Sequence, residues 1–402
     1  MPGELISVDE ARERILARVR PLAAEPVPTE DALGRVLAED VVSDLELPPF
    51  ASSAMDGFAV VAGPAAELTI AGESQAGLPF EGELRRGQAV RISTGAVIPP
   101  GADAVIPIER VSQPADAGEL RIHVPQSRPG QHVRPAGDDV RRGDVVSRAG
   151  TELGPAELGM LAALGRTTAN CARRPRVAVV TTGDELVRPG RPLGPGQIHD
   201  SNEAALRALA DHAGAARGGY EWIADLPEAT ASALERIADP ERGEDVICIA
   251  GGVSVGPHDH VKQALIGIGF EELLWGVRLK PGKPFWFGVR GDQYAFGLPG
   301  NPVSAMVTFT LFVRPALRAL QGADPSAARG AARLDGPIQA NPDRDQAVRC
   351  RLRLADDGWH AEPTGPQGSH VMSSMLGAAA LAIVPASDRD LPAGEHVTIE
   401  LL

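Results

Sequence analysis

Two short, unbroken apolar runs constrain this chain more than any other feature: residues 177–180 and 246–249, each leading directly into a glycine-containing loop. A strand with one wet face alternates apolar and polar residues, whereas a strand covered on both faces reads as a continuous run. Helical patterns follow at 201–210 and 260–268. Strand, loop and helix repeat in this way from about 176 to 323, which predicts an α/β domain around a parallel sheet. In such sheets ligands sit beyond the carboxyl ends of the strands.

The flanks read differently. Ser7-Val8-Asp9-Glu10 forms a capping box ahead of an apolar stripe at Ile15, Leu16 and Val19, and 29–38 reads as a second helix. Short apolar segments at 58–61, 89–92 and 104–108 then alternate with Gly/Pro turns until about 146, as in a small all-β unit. Residues 153–165 are helical again, with Pro155 near the start and Gly165 just past the end. After an Ala/Gly-rich link at 327–332 comes a β-rich unit with segments at 381–384 and 396–402 around a Pro392-Ala393-Gly394 turn. The expected architecture is an elongated, multi-domain chain. It has a small helical domain from 1–47 and 147–174, an inserted β domain at 48–146, the α/β domain at 175–323, and a C-terminal β-barrel-like domain at 330–402.

A formal net charge of −14 argues against nucleic acid or an anionic membrane as partner, since both need a basic face. Cys171, Cys248 and Cys350 lie far apart with no zinc or redox spacing, as suits a reduced cytoplasm. The N-terminus lacks the basic and apolar regions of a signal peptide. The longest apolar run, 303–313, is too short to span a bilayer and is closed by Arg314 and Pro315. A cytoplasmic location is expected.

Five stretches carry candidate chemistry. Thr182-Gly183-Asp184-Glu185 follows the first apolar run, where adjacent carboxylates suit a hard cation or acid–base work. Gly251-Gly252-Val253-Ser254-Val255-Gly256, with Asp259 beyond, follows the second run. Its glycines let backbone N–H groups converge on a phosphate that Asp259 would bridge through a cation. Lys280-Pro281-Gly282-Lys283-Pro284 stiffens a loop around two ammonium groups, which suits an oxyanion. In Gly297-Leu298-Pro299-Gly300-Asn301-Pro302-Val303-Ser304, Asn301 reads as N-cap and Pro302 as first helical residue. In the β unit, Ser53-Ala54-Met55-Asp56-Gly57, Thr94-Gly95-Ala96 and Gly137-Asp138-Asp139 are, by turn chemistry alone, ordinary turns.

Taken in order, the five resemble one family over nearly the whole chain: the molybdopterin molybdenumtransferases. Gly101-Ala102-Asp103-Ala104-Val105 and Gln367-Gly368-Ser369-His370 add to the match. The resemblance implies insertion of molybdate into adenylylated molybdopterin with Mg²⁺-dependent release of AMP. It also implies a homodimer whose cleft is shared between protomers. Glu185, Asp225 and Asp259 would hold Mg²⁺, and Gly251, Gly252 and Ser254 would cradle phosphate. Lys280, Lys283, Pro299, Pro302, Ser304, Arg349 and Ser369 would bind substrate. Asp56, Thr94 and Asp139, catalytic with Glu185 and Asp259, would reach across from the partner. A molybdopterin adenylyltransferase and apo-molybdoenzymes would be further partners. The chain departs from the family pattern at Gly276, at Ala378-Ala379 and over 343–347. Two other readings are a non-catalytic molybdopterin-binding scaffold and a molybdopterin adenylyltransferase.

Overall fold

A computed structural model describes residues 5–113, 120–253, 260–326 and 328–402. Its centre is a six-stranded sheet in the order Ala216–Ile223, Arg176–Thr182, Val246–Ala250, Gln293–Leu298, Trp286–Arg290, Glu271–Trp275. Burial on both faces explains the two unbroken apolar runs. Val177, Val179, Val246 and Cys248 face one core, while Ala178, Val180, Ile247 and Ile249 face the other. Helix Asn202–His212 lies on the first face and Pro227–Ile237 on the second. The strands they lead into, Ala216–Ile223 and Val246–Ala250, flank Arg176–Thr182 on opposite sides. Strand order therefore reverses at the carboxyl end of Arg176–Thr182, where a crevice opens in doubly wound sheets.

The sheet is not wholly parallel, as expected from sequence. The first four strands are parallel, but Trp286–Arg290 runs antiparallel to both of its neighbours, Gln293–Leu298 and Glu271–Trp275. Arg290 pairs with Gln293 across the two-residue turn Gly291-Asp292, and so short a loop can join only antiparallel neighbours.

The helical domain expected at the N-terminus also needs correction. Ser7 caps Val8–Leu16 as predicted, its Oγ accepting from the Glu10 N–H at 3.2 Å. That helix, however, buries Val8, Ala11 and Ile15 in the α/β core. Residues 29–38 form only a single 3₁₀ turn, Thr29–Asp31, after a strand Ala24–Pro28 paired with Thr168–Ala172. The N–H groups a longer helix would have used are taken: Leu37 N donates to Thr151 O and Ala38 N to Asn170 O, both at 2.9 Å. The remaining helix, Pro155–Ala163, has Pro155 in its first turn as expected.

Between these pieces, Gly57–Val60, Ala66–Ser74, Gln88–Ile92, Ala104–Pro107 and Arg121–Val124 form a five-stranded sheet. Phe58 and Val60 bury on one of its faces and Ala59 on the other. At the C-terminus, Arg329–Leu334, Asp345–Ala355, Gly358–Pro363, Ala380–Val384 and His396–Leu401 close into a barrel, because Asp345–Ala355 pairs with Ala380–Val384 as well as with Gly358–Pro363. A short strand of the α/β unit, Leu279–Lys280, adds to its side along Asp345 and Gln346.

The 19-residue helix Pro302–Leu320 is long and apolar enough, by length and composition, to cross a membrane, yet 78% of its apolar window is buried inside the protein. It runs on through Pro315, which has no N–H for the Leu311 carbonyl. Arg12 Nε supplies that bond instead, at 3.2 Å. The same guanidinium donates to Glu400 Oε2 at 3.0 Å, and Arg314 Nη2 reaches Glu400 Oε1 at 3.0 Å. One carboxylate, 1% exposed, thus ties the N-terminal helix, the long helix and the last barrel strand together.

Candidate active site

Three loops leave the carboxyl ends of Arg176–Thr182, Val246–Ala250 and Gln293–Leu298 and meet in a cleft of about 240 Å³. Its walls carry Glu185, Asp225, Gly251, Gly252, Pro299 and Gly300. Close approach explains the glycines. A Cβ on Gly251 (φ +101°) would lie 2.8 Å from Thr182 Oγ1 and 2.9 Å from Thr182 O. A Cβ on Gly183 (φ +147°) would lie 2.4 Å from Glu185 Oε2, so the bare backbone lets that carboxylate fold over its own turn. Of the adjacent acids predicted there, only Glu185 lines the cleft; Asp184 Oδ1 instead accepts the Asp225 N–H at 3.1 Å and holds the second acid in place.

Ser254 and Asp259 lie outside the described residues, as do Val255 and Gly256. Among the described residues no three His, Cys, Asp or Glu side chains gather as a metal site. Glu185 and Asp225 nevertheless fit Mg²⁺, which takes one or two carboxylates and completes its shell with water and substrate phosphate.

Pro284, the end of the lysine loop, also lines the cleft. Lys280 and Lys283 are exposed and form no ion pair among the described residues. Lys280 pairs through its backbone with Gln346, three residues before Arg349 on the same barrel strand. Arg349 is fully buried. Its Nε donates to Ser374 Oγ at 3.1 Å and its Nη2 to Gly368 O at 3.2 Å, while Nη1 has no partner among the described residues. No carboxylate faces it among the described residues, and burial pushes its pKa down to about 10. Ser304 is buried in the first turn of the long helix, behind Pro302. Ser369 follows Gly368 and accepts a hydrogen bond from Asn301 Nδ2 at 3.2 Å.

In the five-stranded sheet, Asp56 Oδ1 accepts the Thr94 N–H at 2.7 Å, so two of the three bland turns come together. Asp139 is held through its N–H to Leu47 O at 3.0 Å. No hydrogen bond or ion pair among the described residues joins any of the three to the cleft of the same chain.

Sequence reasoning passed over Asp200 and Asn202. Asp200 Oδ2 accepts from Thr181 Oγ1 at 2.7 Å and from Tyr220 OH at 3.0 Å, and burial foremost pushes the Tyr220 phenol up to about 12. Asp200 Oδ1 accepts the Asn202 N–H at 2.9 Å. The available signal was Asp200-Ser201-Asn202 at a helix start, a run of capping residue types.

Comparison with known proteins gives a consistent result. Residues 6–165 match a family model described as the MoeA N-terminal region (domain I and II), 178–319 a probable molybdopterin binding domain, and 331–402 the MoeA C-terminal region (domain IV). The chain is 36% identical to a molybdopterin molybdenumtransferase of Haemophilus influenzae over 98% of both chains. It is 35% identical to one of Nostoc sp., over 92% of this chain and 86% of that one. The crystal structure of a molybdopterin biosynthesis moeA protein from Pyrococcus horikoshii OT3 superposes with a TM-score of 0.84 at 30% identity, covering 99% of this chain and 100% of that one.

Proposed function

The chain belongs to the molybdopterin molybdenumtransferase family and is an enzyme of molybdenum cofactor biosynthesis; on that premise we propose that it joins molybdate to the dithiolene of adenylylated molybdopterin and releases AMP, with Mg²⁺ bound. Arg349 carries this reading. A fully buried guanidinium with no counter-charge among the described residues is costly to keep, and one of its N–H groups has no partner among them. An oxyanion beside it would supply both the charge and the missing acceptor.

Placement supports the remaining roles. Ser369 and Ser304 offer hydroxyls near the same junction, and Pro299 and Pro302 shape the loop between them. Lys280 and Lys283 add positive potential at the rim, which lets an acidic chain attract an anion locally. The Gly251 and Gly252 backbone, continuing into Ser254, would cradle the adenylate phosphate. Glu185 and Asp225, with Asp259, would hold Mg²⁺. When bound, the cation offsets charge developing on the phosphate, worth several kcal/mol. Asp56, Thr94 and Asp139 would complete the cleft of a second copy in a cytoplasmic homodimer; that no bond among the described residues ties them to this chain's own cleft supports that reading.

The test is AMP release from adenylylated molybdopterin, with Mg²⁺ and with or without molybdate. Molybdate-dependent release is expected. Tight binding without release would overturn the transferase reading in favour of a scaffold, and ATP consumption would favour adenylylation. For the shared cleft, mixing inactive Asp56→Ala and Glu185→Ala subunits should restore activity. Its absence, with subunit exchange demonstrated, would place both residues in separate functions.

A further inference from the structure

The long helix has an asparagine at its N-cap, yet Asn301 does not cap it. A capping asparagine turns its side-chain oxygen onto the N–H of the second or third helical residue. Here the amide nitrogen points away and donates to Ser369 Oγ across the junction with the barrel. The preceding residue is gripped from the other side, where Asn202 Nδ2 donates to the Gly300 carbonyl at 2.8 Å. Asn202 is 5% exposed and its Oδ1 has no partner among the described residues. A buried acceptor left unmade is destabilising, so packing of the helix does not by itself explain this residue. Asn202 is anchored in turn by Asp200, and Asp200 by Thr181 and Tyr220. Hydrogen bonds therefore run from the sheet's carboxyl edge through Asp200, Asn202, Gly300 and Asn301 to Ser369. Arg349 Nη2 holds the neighbouring carbonyl, Gly368 O, at 3.2 Å.

We propose that Asn202 and Asn301 are positioning residues that present the Ser369 hydroxyl to the oxyanion beside Arg349. The direction of one bond matters most. Asn301 is the donor, so it occupies a lone pair of Ser369 Oγ and leaves the hydroxyl hydrogen free to donate to an anion. Asn202 sets the height of the loop from which Asn301 projects. Neither asparagine needs to touch the substrate. The inference rests on the reading of Ser369 and Arg349 as oxyanion-binding groups.

Three variants separate positioning from capping. An aspartate caps a helix as well as an asparagine does, and alanine does not. Were Asn301 a cap, Asn301→Asp would be silent and Asn301→Ala would lower the melting temperature. A positioning role reverses the order. Asn301→Ala raises KM for molybdate about fivefold, the effect of one ordinary hydrogen bond. Asn301→Asp raises it further, because an acceptor there draws the Ser369 hydrogen to itself and adds a negative charge. For both, kcat and melting temperature stay close to wild type. Asn202→Asp, equal in size but lacking the donor, raises KM in the same direction, and combined with Asn301→Ala it adds little to the single change. Ser369→Ala is run alongside. If it leaves KM for molybdate unchanged, the oxyanion reading itself fails. If it raises KM while both Asn301 variants are silent, only the positioning role fails.

Discussion

Replacing Arg349 by methionine should leave the ligand-free protein folded and remove its affinity for molybdate. Methionine is also long and flexible but carries no charge, so it fills much of the same space. Burial lowers the guanidinium pKa well below its ordinary value, to about 10. At 1.36 kcal/mol per unit, that is a penalty of about 3 kcal/mol on the charged form. The sign is fixed by the direction: a base whose folded pKa is depressed destabilises the fold at every pH below about 10, and the penalty is relieved only as pH rises through the folded value. Against it stand the bonds to Ser374 Oγ and Gly368 O, each worth about 1.5–3 kcal/mol for a charged donor. Together the bonds contribute about 3–6 kcal/mol, which offsets that penalty or exceeds it by up to about 3 kcal/mol, so Arg349→Met should cost no more than about 3 kcal/mol of unfolding free energy. Removing one half of a buried ion pair would cost about 3–5 kcal/mol. Denaturant titration with and without molybdate checks both halves. At a hundredfold excess over Kd the anion should add about 2.7 kcal/mol to the wild type and nothing measurable to the variant. A variant that loses more than about 3 kcal/mol on its own, yet is still stabilised by molybdate, would show that Arg349 is a structural strut and refute the reasoning.

Two further outcomes follow from buried charge elsewhere. Glu400→Gln should cost about 3–5 kcal/mol, because it leaves the buried Arg12 and the half-buried Arg314 without their shared counter-charge; a loss under about 1 kcal/mol in a denaturant titration would mean that water already compensates these groups. His360 sits between Asp335 Oδ1 at 2.6 Å and Asp357 Oδ1 at 2.8 Å, and those bonds, Asp335 foremost, raise its pKa. A raised folded pKa gives stability that is fully present below the unfolded value of 6.5 and is lost as pH rises through the folded value. Melting temperature should therefore fall over that window in the wild type and less so in His360→Gln, and equal slopes would exclude the histidine as the cause.

What was legible in the sequence is what local chemistry decides. The runs at 177–180 and 246–249 could be read as buried strands because a strand enclosed on both faces has no position for a polar residue. Ser7 could be read as a cap because its partner, Glu10, lies three residues away. Asn301 was read as a cap for the same reason, but its partner, Ser369, lies 68 residues on in another unit. No local pattern carries that information. Residues 29–38 misled in the same way: their composition permits a helix, and only the strand at Thr168–Ala172 and the Thr151 carbonyl, both distant in sequence, take their backbone donors. The lone cation of Arg349 was visible as a residue type, whereas the missing acid partner was not, since that is a fact about every neighbour at once.

The same distinction explains how a chain of net charge −14 would build the anion site proposed for it. Total charge governs the distant field, but a pocket responds to the few groups that face it without a counter-charge. Here those groups come from units that the fold must hold in register. Lys280 is fixed to the barrel by pairing with Gln346, on the strand that carries Arg349. Ser369 is fixed to the α/β unit through Asn301. Each unit therefore holds one piece of the other's wall, and the Glu400 cluster clamps the two from behind. The acidic groups, Glu185 and Asp225, stand on the α/β wall alone. Under the proposed reading a cation and its phosphate would bind at the acids of the α/β unit, and an oxyanion beside Arg349 on the barrel strand. Tilting the barrel would separate Ser369 from Asn301 and shift Arg349 with its strand, while Glu185 and Asp225 stay with the α/β unit. Loosening the Glu400 clamp should for that reason weaken molybdate binding before it weakens binding of the phosphate end.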